Sequence, residues 1–247
     1  MILIKTPKDI EGIRESSKLT ASVFRFIEPH IQVGISTNEL DKLCHDFIVK
    51  AGAKPSPLNY KGYPKSICTS VNQVVCHGIP NNYKLRDGDI IKVDVSTYLN
   101  NYHGDSCQTY AVGKVSRAAR DLMKATEEAL HLGIEQVKPG GHFGDIGAAI
   151  QEFVEAKGYS VVREYGGHGI GKSFHEDPHV AHVGKRGSGP EFKTGMVFTI
   201  EPMINQGKAD IILLDDDWTV ETSDGKLSAQ FEHTIAVTEN GYEILTL

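Results

Sequence analysis

The residues able to do chemistry in this 247-residue chain are carboxylates and imidazoles that recur at strand-like positions. The densest stretch is Asp89-Ile-Ile-Lys-Val-Asp94-Val-Ser-Thr-Tyr-Leu-Asn-Asn-Tyr-His-Gly-Asp105-Ser-Cys-Gln-Thr-Tyr110. It reads as two strands, Ile90–Thr97 and Tyr102–Val112, joined by a short Leu-Asn-Asn turn. Ile91, Val93 and Val95 alternate with Lys92, Asp94 and Ser96, which gives one apolar face and one chemical face. An even-numbered loop puts Asp94 and Asp105 on the same face. They are directly opposite if the turn centres on Leu99-Asn100, and diagonal if it centres on Asn100-Asn101. A three-residue loop without a bulge would split them across faces. Like charges about 4.5–5.5 Å apart across strands repel, so a positive partner is expected between them. The alternative is a pair of solvated aspartates near a turn.

A second collection lies in Tyr165-Gly-Gly-His168-Gly-Ile-Gly-Lys-Ser-Phe-His175-Glu-Asp-Pro178. The glycines around His168 would leave the backbone bare for a substrate or metal, and His175 is a partner imidazole. His179 and His182 read as surface residues of a polar loop. His103 and His233 adjoin acidic positions and could act behind them. Val197-Phe-Thr-Ile-Glu201-Pro-Met reads as one buried strand carrying a carboxylate, and Gln230-Phe-Glu232-His-Thr-Ile-Ala-Val as a last strand carrying another. A buried ionised glutamate is costly unless paired or metal-bound. Each acid alone could pair with a lysine, but four converging would need four cations in one place. Two divalent ions balance four carboxylates charge for charge. Oxygen donors with one imidazole suit Mn, Fe, Co or Zn, and the sequence does not choose among them.

The elements that must position these groups repeat. Thr6-Pro7-Lys8-Asp9 starts a helix with Ile10, Ile13, Ser17, Thr20, Phe24 and Ile27 at helical spacing. A capping box, Ser36 to Glu39, starts a second, and Gly52 fits its end. A β region follows to Val112. From Ser116 the order recurs: a helix through Leu122, Ala125, Ala129 and Leu132, another with Ile146, Ile150, Phe153 and Val154, then strands. Gly34, Leu40, Phe47, Ile48 and Gly52 map onto Gly140, Ile146, Phe153, Val154 and Gly158, and Gly88 and Asp94 onto Gly195 and Glu201. The expected fold is α/β (α+β): two α-α-β halves, about 1–113 and 114–247, forming one pseudo-symmetric domain with carboxylates from each half at a shared centre.

The net charge of −6 offers no electrostatic footprint for nucleic acid or anionic membrane. No apolar run approaches the ~18 residues of a membrane span, and the first residues lack the features of a signal peptide. Cys44, Cys68, Cys76 and Cys107 show no Cys-x-x-Cys spacing and are expected as free thiols. These features describe a cytoplasmic protein.

Six motifs in this order resemble type I methionine aminopeptidases of the compact bacterial form: Gly62-Tyr-Pro-Lys-Ser-Ile-Cys68, Val75-Cys-His77-Gly-Ile-Pro80, His103-Gly-Asp105, Gly167-His168-Gly-Ile-Gly171, Phe198-Thr-Ile-Glu201-Pro202 and Ser228-Ala-Gln-Phe-Glu232-His-Thr. The resemblance spans nearly the whole chain and implies the pita-bread fold, with helices packed outside a curved antiparallel sheet. It implies that Asp105 and Glu232 bridge two divalent metals, that Asp94 completes one, and that His168 with Glu201 completes the other. His77 and His175 match two catalytic histidines that are not ligands. Tyr60, Tyr63, Cys68, Phe174 and Trp218 match the methionine pocket. Asn72, Val74 and Ser228 fall where relatives bind a monovalent cation through backbone oxygens. The acidic run Asp215-Asp-Asp217, Phe231 and Pro57 depart from the family pattern, which bears on specificity rather than on the reaction.

The implied activity is removal of the first methionine from new proteins with a small second residue. The implied partners are methionine-headed peptides, nascent proteins and, transiently, the ribosome; a monomer is expected. Two ions about 3.5–4 Å apart would acidify a bridging water to a hydroxide near neutral pH. Glu201 would serve as general base and then acid. The alternatives are a proline-directed peptidase of the same fold, a non-catalytic binding module, and a two-metal phosphoesterase. All five ligand positions are filled, against the second, and no basic cradle for phosphate is present, against the third.

Overall fold

The computed structural model describes all 247 residues. Helix α1 (Pro7–Ile27) starts with a reciprocal cap: the Thr6 hydroxyl accepts the Asp9 N–H while the Asp9 carboxylate accepts the Thr6 N–H. Helix α2 (Thr37–Lys50) repeats the device with Ser36 and Glu39. Strands β1 (Lys54–Pro55), β2 (Cys68–Val71), β3 (Val74–Cys76), β4 (Ile90–Leu99) and β5 (Tyr102–Ala111) complete the first half. The second half opens with α3 (Arg117–Ile134) and α4 (Phe143–Glu155). It continues through β6 (Ser160–Val161), β7 (Gly167–Gly169), β8 (Glu176–Val180), β9 (Val197–Ile200), β10 (Met203–Asn205), β11 (Ile211–Leu213), β12 (Val220–Thr222), β13 (Ser228–Gln230), β14 (His233–Thr238) and β15 (Gly241–Ile244).

Every strand pair is antiparallel. Strand β4 pairs along one edge with β5 and along the other with β2 and then β1. The second half holds a five-stranded sheet in the order β15-β14-β9-β7-β8 and a three-stranded sheet β13-β10-β6, while β11-β12-β3 joins the two halves. Ile91, Val93 and Val95 of β4 pack under α1 and α2, against Phe24, Ile27, Leu40 and Ile48. Leu122, Leu130, Ile146, Ile150 and Val154 of α3 and α4 cover Phe198, Ile200, Ile204 and Ile235 in a larger core. No helix is long and apolar enough to cross a membrane.

The β4–β5 turn resolves the register that the sequence leaves open. Asn100 and Asn101 take left-handed φ values of 50° and 69°, as a two-residue hairpin turn requires and asparagine tolerates. Leu99 therefore faces Tyr102, Ser96 faces Asp105, and Cys107 faces Asp94. The two aspartates share a face and lie diagonal. The glycine of His103-Gly104-Asp105 belongs to packing, since a Cβ there would sit 2.5 Å from the Ser17 amide of α1.

The two glutamate strands are not continuous. Glu201-Pro202 separates β9 from β10, and Phe231-Glu232 separates β13 from β14. Strands β9 and β14 pair in one sheet, and β10 and β13 pair in the other. Both segments thus change sheets at their carboxylate, where Pro202 has no N–H to continue a ladder. Strand β5 runs along this double break and ties it down. The Ser106 hydroxyl donates to the Glu232 carbonyl at 2.6 Å, the Thr109 hydroxyl to the Gln230 carbonyl at 2.5 Å, and the Thr234 hydroxyl to the Asp105 carbonyl at 2.7 Å.

Candidate active site

Asp94 and Asp105 project from the β4–β5 hairpin, His168 from β7, and Glu201 and Glu232 from the two sheet breaks. All five line one cavity of about 380 Å³. Ligand atoms of Asp105, His168 and Glu232 lie within 4.8 Å of one another. The His168 Nδ1–H donates to the Gly169 carbonyl at 2.9 Å. That fixes the tautomer and leaves Nε2 bare, 3.5 Å from Asp105 Oδ2 and 3.9 Å from Glu201 Oε1. The glycines beside His168 have another origin than ligand access. A Cβ on Gly167 would lie 2.1 Å from the Thr199 carbonyl oxygen, and one on Gly169 would lie 2.0 Å from that of Asp177. They are there because β7 is pressed between β8 and β9.

The carboxylates are held from behind. Glu201 Oε1 accepts the Thr199 hydroxyl at 2.9 Å, and Oε2 accepts the Gln230 amide at 3.2 Å. Its backbone N–H donates to His182 Nε2 at 3.0 Å. The reading of His182 as a surface residue is therefore wrong: it is 1% exposed, and burial pushes its imidazole down to about 3, which keeps it a neutral acceptor. Its neighbour His179 is exposed but lies across from His168 in the β7–β8 ladder and lines the cavity. Tyr165 was missed too; its ring meets His77 edge-on at 5.4 Å.

The electrostatics ask for cations. No lysine or arginine pairs with any of the four carboxylates, and His168 is the single ion-pair partner of Asp105 and Glu201. Burial, then the charges of Asp105 and Glu201, push Asp94 well above the usual carboxylate range. Burial and the same neighbours, with Asp94, do so for Glu232. Burial lifts Glu201 to about 7 although His168 pulls the other way. Burial alone would lower His168, but the nearby carboxylates of Asp105 and Glu201 outweigh it and raise it. Glu232, 3% exposed, leaves Oε1 buried without a hydrogen-bond partner. An orphaned carboxylate oxygen beside a bare imidazole nitrogen, among acids that repel one another, is a donor set that fits divalent metal.

Residues 11–239 match the model of metallopeptidase family M24. The whole chain is 53% identical to the methionine aminopeptidase of Escherichia coli K12, covering 94% of it. It is 54% identical to methionine aminopeptidase A of Synechocystis, covering 98% of that protein. The structure matches the crystal structure of methionine aminopeptidase from Rickettsia prowazekii with a TM-score of 0.99, at 52% identity over 100% of both chains. The chain belongs to the type I methionine aminopeptidases. The pita-bread fold follows with it.

In this methionine aminopeptidase the remaining expected residues line the same cavity: His77, His175, Tyr60, Tyr63, Cys68, Phe174 and Trp218. Tyr63 is buried, and its one hydroxyl proton is shared between the carbonyls of Ile67 and Gly78, both at 3.1 Å. Its ring is thereby fixed, and it meets Trp218 edge-on at 5.1 Å. Trp218 is held from the acidic run, where Asp216 accepts its backbone N–H at 2.9 Å. Tyr60 sits between Asn59 and Lys61, which have φ values of 66° and 47°, and packs on Phe174 and His175. His77 also holds a left-handed φ, 56°, and burial pushes its imidazole down to about 4. Strain of this kind, ~1–3 kcal/mol per residue, persists where the surroundings over-determine it. His175 stands at the mouth with its ring 4.0 Å from that of His168.

At the expected monovalent-cation site of Asn72, Val74 and Ser228, two of the three backbone oxygens have a donor from the chain itself. The backbone oxygens of Asn72 and Ser228 accept from Lys92 Nζ, at 2.9 and 2.6 Å.

Proposed function

We propose that this enzyme removes the initiator methionine from newly made proteins with a small second residue, and that Asp94, Asp105, His168, Glu201 and Glu232 hold two divalent ions. The observation that carries the reading is the unpartnered, buried Glu232 Oε1 in a basin of four acids with no lysine or arginine. Asp94, Asp105, His168, Glu201 and Glu232 would supply the oxygen and imidazole donors that hold the ions. When bound, the ions lower the pKa of water toward neutrality and polarise a carbonyl.

The side chains do the rest. Glu201, steadied by Thr199 and Gln230, takes the proton of the attacking water and passes it to the leaving amine. His175, at the cavity mouth, donates to the scissile carbonyl oxygen as it gains charge. His77 contacts the scissile amide nitrogen. The methionine thioether lies among Tyr60, Tyr63, Cys68, Phe174 and Trp218, where aromatic edges and a soft thiol suit sulfur. The free α-amino group is anchored beside Asp94, which limits cleavage to the first residue. Nascent chains, met transiently at the ribosome in the cytoplasm by a monomer, are the substrates.

The test is hydrolysis of Met-Ala-Ser against Leu-Ala-Ser and Xaa-Pro peptides, with apo enzyme titrated with Fe, Mn, Co and Zn. Metal-dependent release of methionine, and little of leucine, is expected. No methionine release with any metal would overturn the reading.

A further inference from the structure

Lys92 is the one basic side chain sealed inside the sheet. It is 1% exposed and makes no ion pair, an arrangement that costs free energy unless the nitrogen finds acceptors. Its Nζ donates to the Asn72 carbonyl at 2.9 Å and to the Ser228 carbonyl at 2.6 Å. These oxygens are built into place. The Asn72 side chain is locked, accepting the Ile90 N–H at 3.0 Å and donating to Asp89 at 2.8 Å, and its backbone takes a left-handed φ of 51°. The Asn72 carbonyl also accepts the Ser228 N–H at 3.1 Å, so the β2–β3 turn and β13 meet at one point. Fixed main-chain carbonyls converging on one buried point are the kind of oxygen donors that take an alkali ion, and here a nitrogen of the chain stands between two of them.

We infer that Lys92 acts as a tethered substitute for a monovalent cation, fastening β4, the β2–β3 turn and β13 through their carbonyls. No Na⁺ or K⁺ shares this point, because Nζ already lies at contact distance from both oxygens. The position matters for the site. Lys92 precedes Asp94 by two residues on the same face of β4, and Ser228 begins the strand that leads to Glu232. Lys92 is thus a positioning residue. It touches no substrate, but it fixes the two segments that present one carboxylate from each half.

The experiment compares wild type with Lys92→Ala and Lys92→Met, metal-free, by thermal unfolding in choline, sodium, potassium and methylammonium chlorides at equal ionic strength. Wild type should unfold at the same temperature in all four. Lys92→Ala should unfold lower in choline, by about 5 °C or more, and recover part of that loss in the small cations. Lys92→Met, whose side chain fills the space, should be destabilised without recovery. Divalent-metal affinity of Lys92→Ala should follow the same salt order, which a loss of packing alone would not produce. Stabilisation of wild type by Na⁺ or K⁺ over choline would overturn the inference, as would a Lys92→Ala protein indifferent to the cation. Should Lys92→Ala fail to fold, the wild-type series decides. The melting arms need no turnover, so they stand apart from the peptide assay.

Discussion

The two halves of the molecule present their carboxylates by different means. Asp94 and Asp105 stand in an unbroken ten-pair antiparallel ladder, from Ile90 opposite Ala111 to Leu99 opposite Tyr102. The paired backbone fixes their Cα atoms, with strands on both sides of Asp94 and β4 beside Asp105, and the aspartate side chains are short. Glu201 and Glu232 stand where the ladder fails, between β9 and β10 and between β13 and β14. The Glu201 carboxylate is steadied by Thr199 and Gln230, and the Glu232 backbone by the Ser106 hydroxyl of β5. One half therefore relies on secondary structure for precision and the other on side-chain hydrogen bonds. Substitutions that leave the backbone alone should be tolerated better in the first half than in the second.

The proposed ligands set the upper limit of effect. Asp105→Asn and Glu232→Gln should both abolish stoichiometric metal and lower activity by more than the ~10–100-fold typical of a group behind a ligand. Asp94→Asn should lose one ion and retain the other. Metal analysis of the dialysed proteins beside Met-Ala-Ser kinetics checks the ranking. Wild-type binding and cleavage by both aspartate variants would remove the metal assignment at its centre.

The next layer tests the comparison directly. Gln230→Leu and Thr199→Val should each cost ~10–100-fold in metal affinity or activity, because only these two hydrogen bonds orient the Glu201 carboxylate. Ser96→Ala removes the hydroxyl that donates to Asp105 Oδ1 at 2.7 Å. It should cost less, since the β4–β5 ladder still holds Asp105. Equal losses in the two halves would show that the ladder contributes nothing to ligand placement.

Folding should respond where the first half braces the second. Ser106 is fully buried, and Ser106→Ala leaves the Glu232 carbonyl without that donor. A loss of ~1–3 kcal/mol is expected, read as a lower urea midpoint. Ser22→Ala, whose hydroxyl turns back within α1 onto Leu19, should lose little by the same measure.

The same contrast explains what the sequence could reveal. Helices announce themselves by period and caps, so α1 to α4 were legible within a few residues. The hairpin was legible as a unit, but its register turned on two consecutive asparagines entering the left-handed region, which alternation alone does not specify. The five proposed ligand positions and the proposed methionine pocket come from six motifs rather than from periodicity. The breaks at Glu201 and Glu232 were hidden because an apolar run interrupted by one acid looks the same whether the strand continues or changes sheets. Only Pro202 hinted otherwise. Burial of His182 and Lys92 was hidden because a polar residue says nothing of its hydrogen-bond partner when that partner is a backbone N–H or carbonyl distant in sequence. The glycines beside His168 were visible, but their cause lay in neighbouring strands.

The smallest effect concerns how each half starts its second helix. In α2, Ser36 and Glu39 share the cap; in α4 no hydroxyl is available at His142, and Asp145 accepts both the His142 N–H at 2.8 Å and the Gly187 N–H at 2.7 Å. These two amide donors hold the Asp145 carboxyl below the usual carboxylate range. The folded state therefore binds this proton less readily than the unfolded chain. Its contribution is present above the unfolded pKa, near ~4, and is lost as pH falls through the lower folded value. Asp145→Asn should cost ~1 kcal/mol at neutral pH, as loss of a capping carboxylate does. The gap from wild type should stay constant down to about pH 4 and close below it. Urea unfolding at neutral and acid pH measures this. A gap that persisted at low pH would mean that Asp145 acts through packing against the 185–188 loop rather than through its charge.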